Sequence, residues 1–198
     1  HLFSLMGKMG FLCVRCPEEY GGPGVDKVTD VILREELSRV CQGIATSWSA
    51  HSHLATYPII SSGTTDQRKK YLVPAVKGDK IGAFALSEPD AGSDTKSIKS
   101  TADKKGDGYV LRGSKTFITN APVADFFVVI ARAPDTTRRE GGTAFILERG
   151  MEGLSTGEPM KKMGARCSPT GEVFMDDIRV PASQVLGTEG GAFKDMLA

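Results

Sequence analysis

The sequence has no long apolar run and no excess of charge of either sign. Its longest apolar runs, such as residues 126–131, fall far short of the roughly 20 residues that cross a bilayer. The 198 residues carry 25 basic and 24 acidic side chains, which gives a formal net charge of +1. We therefore expect neither membrane insertion nor a nucleic-acid partner.

Cysteine is scarce, with four residues in the whole sequence. Cys13 and Cys16 have the C-x-x-C spacing of a redox pair or of half a zinc site. A zinc site needs a second close pair, and Cys41 and Cys167 are too scattered along the sequence to supply one. A redox pair would begin a helix, whereas Pro17 and a glycine-rich loop follow. We predict reduced thiols in a packed segment and a loop, and no metal site.

The sequence also lacks an initiator methionine and a signal peptide at its start. Residues 1–3 enter an amphipathic pattern without a helix cap. We expect the polypeptide to be a fragment whose missing N-terminus could have carried a targeting segment.

The hydrophobic periodicity changes once along the chain. From Asp26 to Lys77 it is helical, with Asp26 as a cap, a capping box at residues 64–67, and Val28, Val31, Ile32, Leu37 and Val40 near helical spacing. From Ile81 onward, turn clusters separate strand-like runs. These runs are residues 81–86, 109–112, 116–119, 126–131, 143–148 and 172–175.

This pattern predicts an α+β fold. We expect a partial helical domain over residues 1–80, an antiparallel barrel- or sandwich-like β domain over residues 81–187, and the start of a second helical domain over residues 188–198.

Two segments of the β region have the character of a ligand site. In residues 84–94, FALSEPDAGSD, an apolar strand stops at Pro89, and the turn at residues 92–94 leaves N–H groups and hydroxyls free for an anionic or carbonyl-rich ligand. In residues 117–120, FITN, the Phe117 ring and the Thr119 hydroxyl are two positions apart and are predicted on one side of a strand. A planar ring could stack on Phe117 and accept a hydrogen bond from Thr119.

These residues resemble the acyl-CoA dehydrogenase family, and the likeness extends from about Leu12 to about Leu197. Further family-like segments are PEEYGG (17–22), QRKKYL (67–72) and KMGARCS (162–168), with Val180-Pro181 after the last of them. The resemblance implies a fold that binds FAD. It also implies an enzyme that removes a proton from Cα and a hydride from Cβ of an acyl-CoA thioester.

The resemblance implies a role for each matching residue. Phe84, Leu86 and Ser87 would lie against the flavin ring, with the Ser87 hydroxyl at its pyrimidine edge, where the family more often has threonine. Ser93 would meet the CoA side of the substrate near the cofactor. The remaining cofactor residues implied are Phe117, Ile118 and Thr119.

Two of these residues carry more detailed expectations. Phe117 stands where the family usually has tryptophan, and it would pack on the flavin face away from the substrate. Thr119 would donate to the ring near N5, the atom that receives the hydride, and so stabilise charge on the reduced flavin.

Several residues keep two interpretations. Arg166 matches an arginine near the family's active site, or it is a structural guanidinium bonded to loop carbonyls. His51 and His53 lie two positions apart on a predicted helix and do not share a face, so we expect separate, satisfied or exposed histidines. The same stretch matches the acyl pocket of the family, and its polarity suggests a pocket that is not a plain hydrocarbon tunnel.

Two charge runs, Lys161-Lys162 and Arg138-Arg139, are predicted to be solvated faces, with contact to CoA phosphates as the alternative.

The family's catalytic base is usually a glutamate in a later helical domain, and no residue of this sequence is assigned that role. The resemblance further implies a homotetramer, an electron-transfer flavoprotein as partner, and a location in the bacterial cytoplasm, which we prefer, or in the mitochondrial matrix. Two alternatives stay open: an acyl-CoA oxidase or related flavin monooxygenase of the same fold, and a non-catalytic module that binds a partner.

Overall fold

The computed structural model describes residues 2–133 and 142–197. The first part of the chain is helical. Its α-helices are α1 (Leu2–Lys8), α2 (Lys27–Val40), α3 (Gln42–Ser49), α4 (Tyr57–Ser62), α5 (Thr65–Gln67) and α6 (Val73–Lys77). Two widened π-helical segments, Ala50–Ala55 and Arg68–Leu72, join consecutive α-helices, and Glu18–Tyr20 forms one 3₁₀ turn.

The predicted helix starts are confirmed. The Asp26 carboxylate accepts the Thr29 N–H at 2.8 Å and caps α2. At the start of α5, the Gln67 N–H donates to the Thr64 hydroxyl at 3.2 Å, while the Thr64 N–H donates to the Gln67 side chain at 3.0 Å. These reciprocal bonds satisfy two amides that the first helical turn would otherwise leave unpaired.

The apolar spacing correctly predicted a helix, α2, but it does not mark the face that the helix buries. Of the five residues noted, Val28, Val31, Ile32 and Val40 are exposed, whereas Leu37, together with Leu33, packs against the helical core. Within residues 2–133 and 142–197, no helix combines the length and the apolarity that a membrane crossing needs.

Two four-stranded sheets follow the helices. The first has the order β1 (Gly82–Ala85), β4 (Phe126–Ala131), β5 (Thr143–Glu148) and β8 (Val185–Leu186). The second has the order β2 (Thr101–Lys105), β3 (Gly108–Thr119), β7 (Thr170–Pro181) and β6 (Leu154–Thr156). A last helix, α7, covers Ala192–Leu197.

The first sheet is the middle layer of the molecule. Successive residues of β4 point to opposite faces, and every one of them is buried. Phe126, Val128 and Ile130 join the core under the helices, whereas Phe127 and Val129 join the core between the sheets. Burial on both faces explains why β4 is an unbroken apolar run.

These layers confirm the α+β class in its sandwich form. Among the described residues the two sheets stay separate and do not close into a barrel. One strand pair differs from the antiparallel prediction, because β1 runs parallel to β4. The division into residues 1–80, 81–187 and 188–198 stays a prediction.

Several strand limits differ from the sequence prediction. The first strand ends at Ala85, before Pro89. Residues 109–112 and 116–119 belong to one long strand, β3, which is interrupted by two bulges rather than by a turn. One bulge holds Gly113 at φ +135°, where a Cβ would lie 2.4 Å from the Ser100 hydroxyl oxygen, so the position requires glycine.

Candidate functional site

Two adjoining clefts open where the helices meet the ends of β1 and β3. The first, here called the strand cleft, has a volume of about 250 Å³. Its lining consists of Ala50, Leu54, Phe84, Leu86, Ser87, Phe117, Ile118 and Thr119. Six of the seven predicted cofactor residues therefore lie around one cleft, although they come from two segments, and Ser87 and Phe117 are 30 positions apart in the sequence.

The second cleft, here called the helix cleft, has a volume of about 390 Å³. Its lining consists of Arg15, His53, Leu54, Tyr57, Pro58, Phe84, Leu86, Thr95 and Phe193. Leu54, Phe84 and Leu86 border both clefts and form an apolar wall between them. Neither cleft is lined by a carboxylate from the described residues.

A buried ion pair joins the two segments of the strand cleft. Lys115 Nζ on β3 lies 2.7 Å from Glu88 Oε1 and also donates to the Leu86 carbonyl at 3.1 Å. The Glu88 carboxylate accepts the N–H groups of Lys99 and Ser100 at 2.5 and 3.0 Å. Burial acts to raise the pKa of Glu88, but its hydrogen bonds with Lys115 and these amides outweigh burial and lower the pKa below its ordinary value.

The sequence interpretation missed this pair. The available signal was Lys115, a lysine at an inward position of a strand. Burying an unpaired ammonium group costs free energy, so such a lysine implies a charged partner. A second link supports the same arrangement, because the Thr116 N–H donates to the Ser87 carbonyl at 2.9 Å. The end of β1 is therefore fixed to the middle of β3.

Phe117 adopts a left-handed backbone conformation, with φ +58°, inside the second bulge of β3. Phe117 and Thr119 do line one cleft, as expected, but a bulge and not a regular strand brings them there. The bulge turns three consecutive residues, Phe117, Ile118 and Thr119, to the strand cleft. Phe117 is also 70% exposed, so a strained backbone here presents a ring outward instead of burying it.

Two hydroxyl groups of the strand cleft are available to a ligand. Within the described part of the chain, neither the Ser87 nor the Thr119 side chain has a hydrogen-bond partner. Both residues are half-buried, and apolar side chains surround them. Polar groups of this kind usually fix the orientation of a planar ligand in an apolar cleft.

His51 is a structural residue. It is fully buried, its Nδ1 accepts the Gly82 N–H at 2.9 Å, and its Nε2 lies 3.1 Å from the Ala75 carbonyl. Because a carbonyl only accepts, Nε2 carries the proton and the ring is neutral. Burial lowers the pKa of His51 to about 4. The ring therefore joins β1 to α6 and does not reach either cleft.

His53 points the other way and lines the helix cleft. Its Nε2 lies 2.9 Å from both carboxylate oxygens of Asp30, and its ring packs edge-on against Trp48 at a centroid distance of 4.9 Å. The two histidines thus have separate partners, as predicted. Across the described residues, no group of three or more histidine, cysteine or carboxylate side chains could hold a metal ion.

Two predicted site residues lie outside both clefts. Ser93 is exposed on the turn after β1, and Thr95, two positions later, lines the helix cleft. Arg166 is also exposed, and within the described residues its guanidinium donates no hydrogen bond, which disfavours a structural role in bonding loop carbonyls.

Of the two predicted charge runs, Arg138-Arg139 lies outside the described residues. In the other run, Lys161 is exposed, as predicted, whereas Lys162 is half-buried and its Nζ donates to the Ser168 carbonyl at 2.6 Å.

The cysteines form two contrasting pairs. Cys13 and Cys16 are free and buried, as predicted, and burial raises the pKa of Cys13 to about 12 and of Cys16 to about 11. Cys41 and Cys167 were considered too scattered to form a pair, but their sulfur atoms lie 3.4 Å apart. The fold brings them together across 126 sequence positions, which spacing along the sequence does not reveal.

Comparison with known proteins agrees with this geometry. Residues 1–79 match the model of the acyl-CoA dehydrogenase N-terminal domain, and residues 83–178 match that of the acyl-CoA dehydrogenase middle domain. The chain belongs to the acyl-CoA dehydrogenase family, so the resemblance seen in the sequence is confirmed.

Curated relatives include a short-chain specific acyl-CoA dehydrogenase of Clostridium acetobutylicum. It is 44% identical over 188 residues, which are 95% of this chain and 50% of the relative. The mitochondrial isovaleryl-CoA dehydrogenase of Solanum tuberosum is 42% identical over 190 residues, which are 96% of this chain and 46% of the relative. The chain thus spans about half the length of these relatives.

Solved structures share the fold closely. An acyl-CoA dehydrogenase of Bacillus anthracis, crystallised with FAD, has a TM-score of 0.91 and 38% identity, and the match covers 99% of this chain and 34% of that one. A chain from the structure reported for the electron transferring flavoprotein of Acidaminococcus fermentans has a TM-score of 0.93 and 44% identity. That match covers 98% of this chain and 51% of the other.

Proposed function

We propose that this chain forms half of the cofactor and substrate site of an FAD-dependent acyl-CoA dehydrogenase. The observation that carries the proposal is the strand cleft, where two separate segments place an exposed aromatic ring and two unpartnered hydroxyls around an apolar floor. A planar, carbonyl-rich ring system fits such a donor set. The relative crystallised with FAD supports flavin as the ligand.

Each residue of the strand cleft has a task in this proposal. The Phe117 ring would pack against one face of the isoalloxazine. The Ser87 and Thr119 hydroxyls would donate to its polar edge, with Thr119 near N5. Phe84, Leu86 and Ile118 exclude water, which strengthens these hydrogen bonds because the local dielectric constant is low.

The helix cleft is proposed to receive the acyl group. It adjoins the strand cleft through the apolar wall of Leu54, Phe84 and Leu86, so a bound chain would lie beside the flavin. His53 and Arg15 add polarity to its lining, and the Arg15 guanidinium lies 4.9 Å from the centre of the Tyr57 ring. Ser93 and Arg166 are proposed to contact the substrate from outside the clefts, Ser93 on its CoA side.

The reaction proposed is α,β-dehydrogenation of an acyl-CoA thioester. A base removes the Cα proton, the Cβ hydrogen leaves with its electron pair, and a carbon–carbon double bond forms. FAD supplies the acceptor for that hydride. Since the lining of both clefts contains no carboxylate from the described residues, we assign no base within this chain.

The wider setting is also proposed. Electrons would pass to an electron-transfer flavoprotein, an assignment supported by the match to the Acidaminococcus fermentans structure. The active molecule would be a homotetramer, located in the cytoplasm of a bacterium or in the mitochondrial matrix of a eukaryote.

Anaerobic flavin bleaching by the full-length protein tests the function. We expect purified protein to carry FAD and butyryl-CoA to bleach its visible absorption, with recovery on adding an electron-transfer flavoprotein. Fast recovery in air alone would instead identify an oxidase. Protein that binds no flavin, or flavin that no acyl-CoA reduces, would contradict the proposal and favour a partner-binding module.

A further inference from the structure

We propose that Cys41 and Cys167 form a reversible disulfide that cross-links helix α3 to the loop of residues 162–168. The two sulfur atoms lie 3.4 Å apart as free thiols. Cys41 is half-buried and Cys167 is exposed, so both are open to small oxidants. The bond would join the helical part of the molecule to the second sheet, and it does not depend on the proposed function.

The contact between the thiols is built into the surrounding structure. Gly43 lets the Cys167 side chain approach the first turn of α3, because a Cβ at Gly43 would lie 2.4 Å from Cys167 Sγ. A second bond holds the same loop to the same helix, since the Ser47 hydroxyl donates to the Ser168 hydroxyl at 3.0 Å. The absence of a side chain at Gly43 and the Ser47–Ser168 hydrogen bond thus keep the two thiols in contact.

The two thiols differ in reactivity. Cys41 is the N-cap residue of the eight-residue helix α3. Backbone N–H groups of Ile44 and Gly43, together with the Cys167 thiol, lower the pKa of Cys41 below its ordinary value. Hydrogen bonding to Cys41 raises the pKa of Cys167. Cys41 is therefore the attacking thiolate and Cys167 the resolving thiol.

Hydrogen peroxide is the oxidant class proposed. The Cys41 thiolate attacks one peroxide oxygen, the O–O bond breaks, and hydroxide leaves, so Cys41 becomes a sulfenic acid. The Cys167 thiol then attacks that sulfur, the S–O bond breaks, and water leaves after proton transfer. In sum, two thiols and one peroxide give one disulfide and two waters. A dithiol reductant reverses the change by exchange.

The cross-link would act on the candidate site from outside it. The loop that carries Cys167 also carries Arg166, and α3 leads directly into the π-helical segment whose Ala50 and Leu54 line the strand cleft. Oxidation would fix the loop against this helix, and reduction would release it.

Peptide mass spectrometry of the full-length protein tests the proposal. Trypsin places Cys41 in the peptide 40–68 and Cys167 in the peptide 167–179, each with a single cysteine. After mild peroxide treatment of folded protein, we expect these two peptides to be joined, two hydrogens lighter than their sum, and separated by dithiothreitol. The peptides 9–15 and 16–27, which carry the buried Cys13 and Cys16, serve as an internal control and should stay reduced.

Variants test the assigned roles. In Cys167→Ser, a sulfenic-acid probe should label residue 41, whereas in Cys41→Ser the labelling of residue 167 should be about tenfold lower. Gly43→Ala should slow cross-linking by displacing the Cys167 sulfur. Gly164→Ala, in the loop that carries Cys167, is its matched control, because a Cβ there meets nothing within 4 Å. Recovery of the peptides 40–68 and 167–179 unjoined, whether reduced or separately oxidised, would overturn the proposal.

Discussion

Phe117 and Thr119 show how much a single backbone angle decides. With φ +58° at Phe117, a residue type that seldom adopts this region, the chain presents the ring and the next two side chains to one cleft. The sequence alone predicted Phe117 and Thr119 as residues of a candidate site. The left-handed angle was not, because neither glycine nor asparagine stands at position 117 to indicate it.

Thr119→Val tests the hydroxyl of the strand cleft. The substitution is nearly isosteric, and within the described chain the hydroxyl has no partner to lose, so folding should change little. Loss of one hydrogen bond to the flavin should shift its reduction potential and its visible spectrum.

The comparison is a redox titration of both full-length proteins. Thr101→Val is a matched control, because Thr101 begins β2 and lines neither cleft. An unchanged potential in Thr119→Val would remove Thr119 from the site, and an equal shift in the control would show that the effect is not local.

His51 gives the fold a dependence on acid. Its pKa is about 4 when folded and 6.5 in an open chain. Between these values only the unfolded chain binds the proton, so the folded state loses stability as pH falls from about 6.5 to about 4. The loss from this residue should total about 3 kcal/mol. Urea unfolding across that range measures the slope.

His51→Gln is the variant for this slope. Glutamine does not titrate, so this contribution to the pH dependence should disappear. The variant should also be less stable at neutral pH, because a flexible amide replaces the rigid ring whose two nitrogens bond the Gly82 N–H and the Ala75 carbonyl in this fully buried position. A slope equal to that of the wild type would show that other groups cause the acid sensitivity.

At the scale of elements, the hydrogen-bonded junction between the end of β1 and the middle of β3 determines the shape of the strand cleft. Lys115 and Glu88 are both almost fully buried, at 0% and 5% side-chain exposure. The carboxylate is thereby held against two backbone amides and cannot be reached by bulk water.

Lys115→Met should destabilise the protein by about 3–5 kcal/mol, because it leaves the Glu88 carboxylate buried without its counter-ion. Denaturant unfolding measures the loss. The matched control is Lys99→Ala, which removes an ion pair to Asp90 with side chains 71% and 68% exposed. That variant should cost far less than Lys115→Met, because water and salt screen an exposed pair. Similar losses in the two variants would contradict the role given to the buried pair.

The elements also show where sequence patterns were sufficient. The limits of β4 and β5 were predicted to the residue, because both are apolar runs between polar turns. β2, β6 and β8 were missed, since β2 is polar and the other two are only three and two residues long. The Cys41–Cys167 contact depends on packing between distant parts of the chain, so no local pattern predicts it.

At the scale of the molecule, α2 carries an unusual amount of apolar surface. Val31 is 62% exposed, Ile32 56% and Val40 84%. Exposed apolar patches favour self-association and dye binding in water. We therefore expect the 198-residue polypeptide to bind a hydrophobic dye and to associate in size-exclusion chromatography.

Charged substitutions on α2 test this expectation. Val31→Lys with Val40→Lys should lower dye fluorescence and reduce association. Thr29→Lys with Ser38→Lys adds the same charge to the same helix, at one exposed and one half-buried polar position, without removing an apolar side chain, so dye fluorescence should stay near the wild-type value. Equal effects in both doubles would assign the association to net charge, and a dye-silent wild type would contradict the expectation.

The path of the chain between the sheets bears on how the protein is made. After β1 the chain leaves the first sheet for β2 and β3, returns for β4 and β5, leaves again for β6 and β7, and returns for β8. Gln67, in α5, then donates to the Ser183 and Val185 carbonyls at 2.9 and 2.8 Å. During synthesis, neither sheet can be completed until its last strand has left the ribosome. β4 and β5 therefore emerge after the helices that cover one of their faces but before β6 and β7, which complete the sheet over the other face. We expect that second face to be incompletely covered in the nascent chain and open to chaperones.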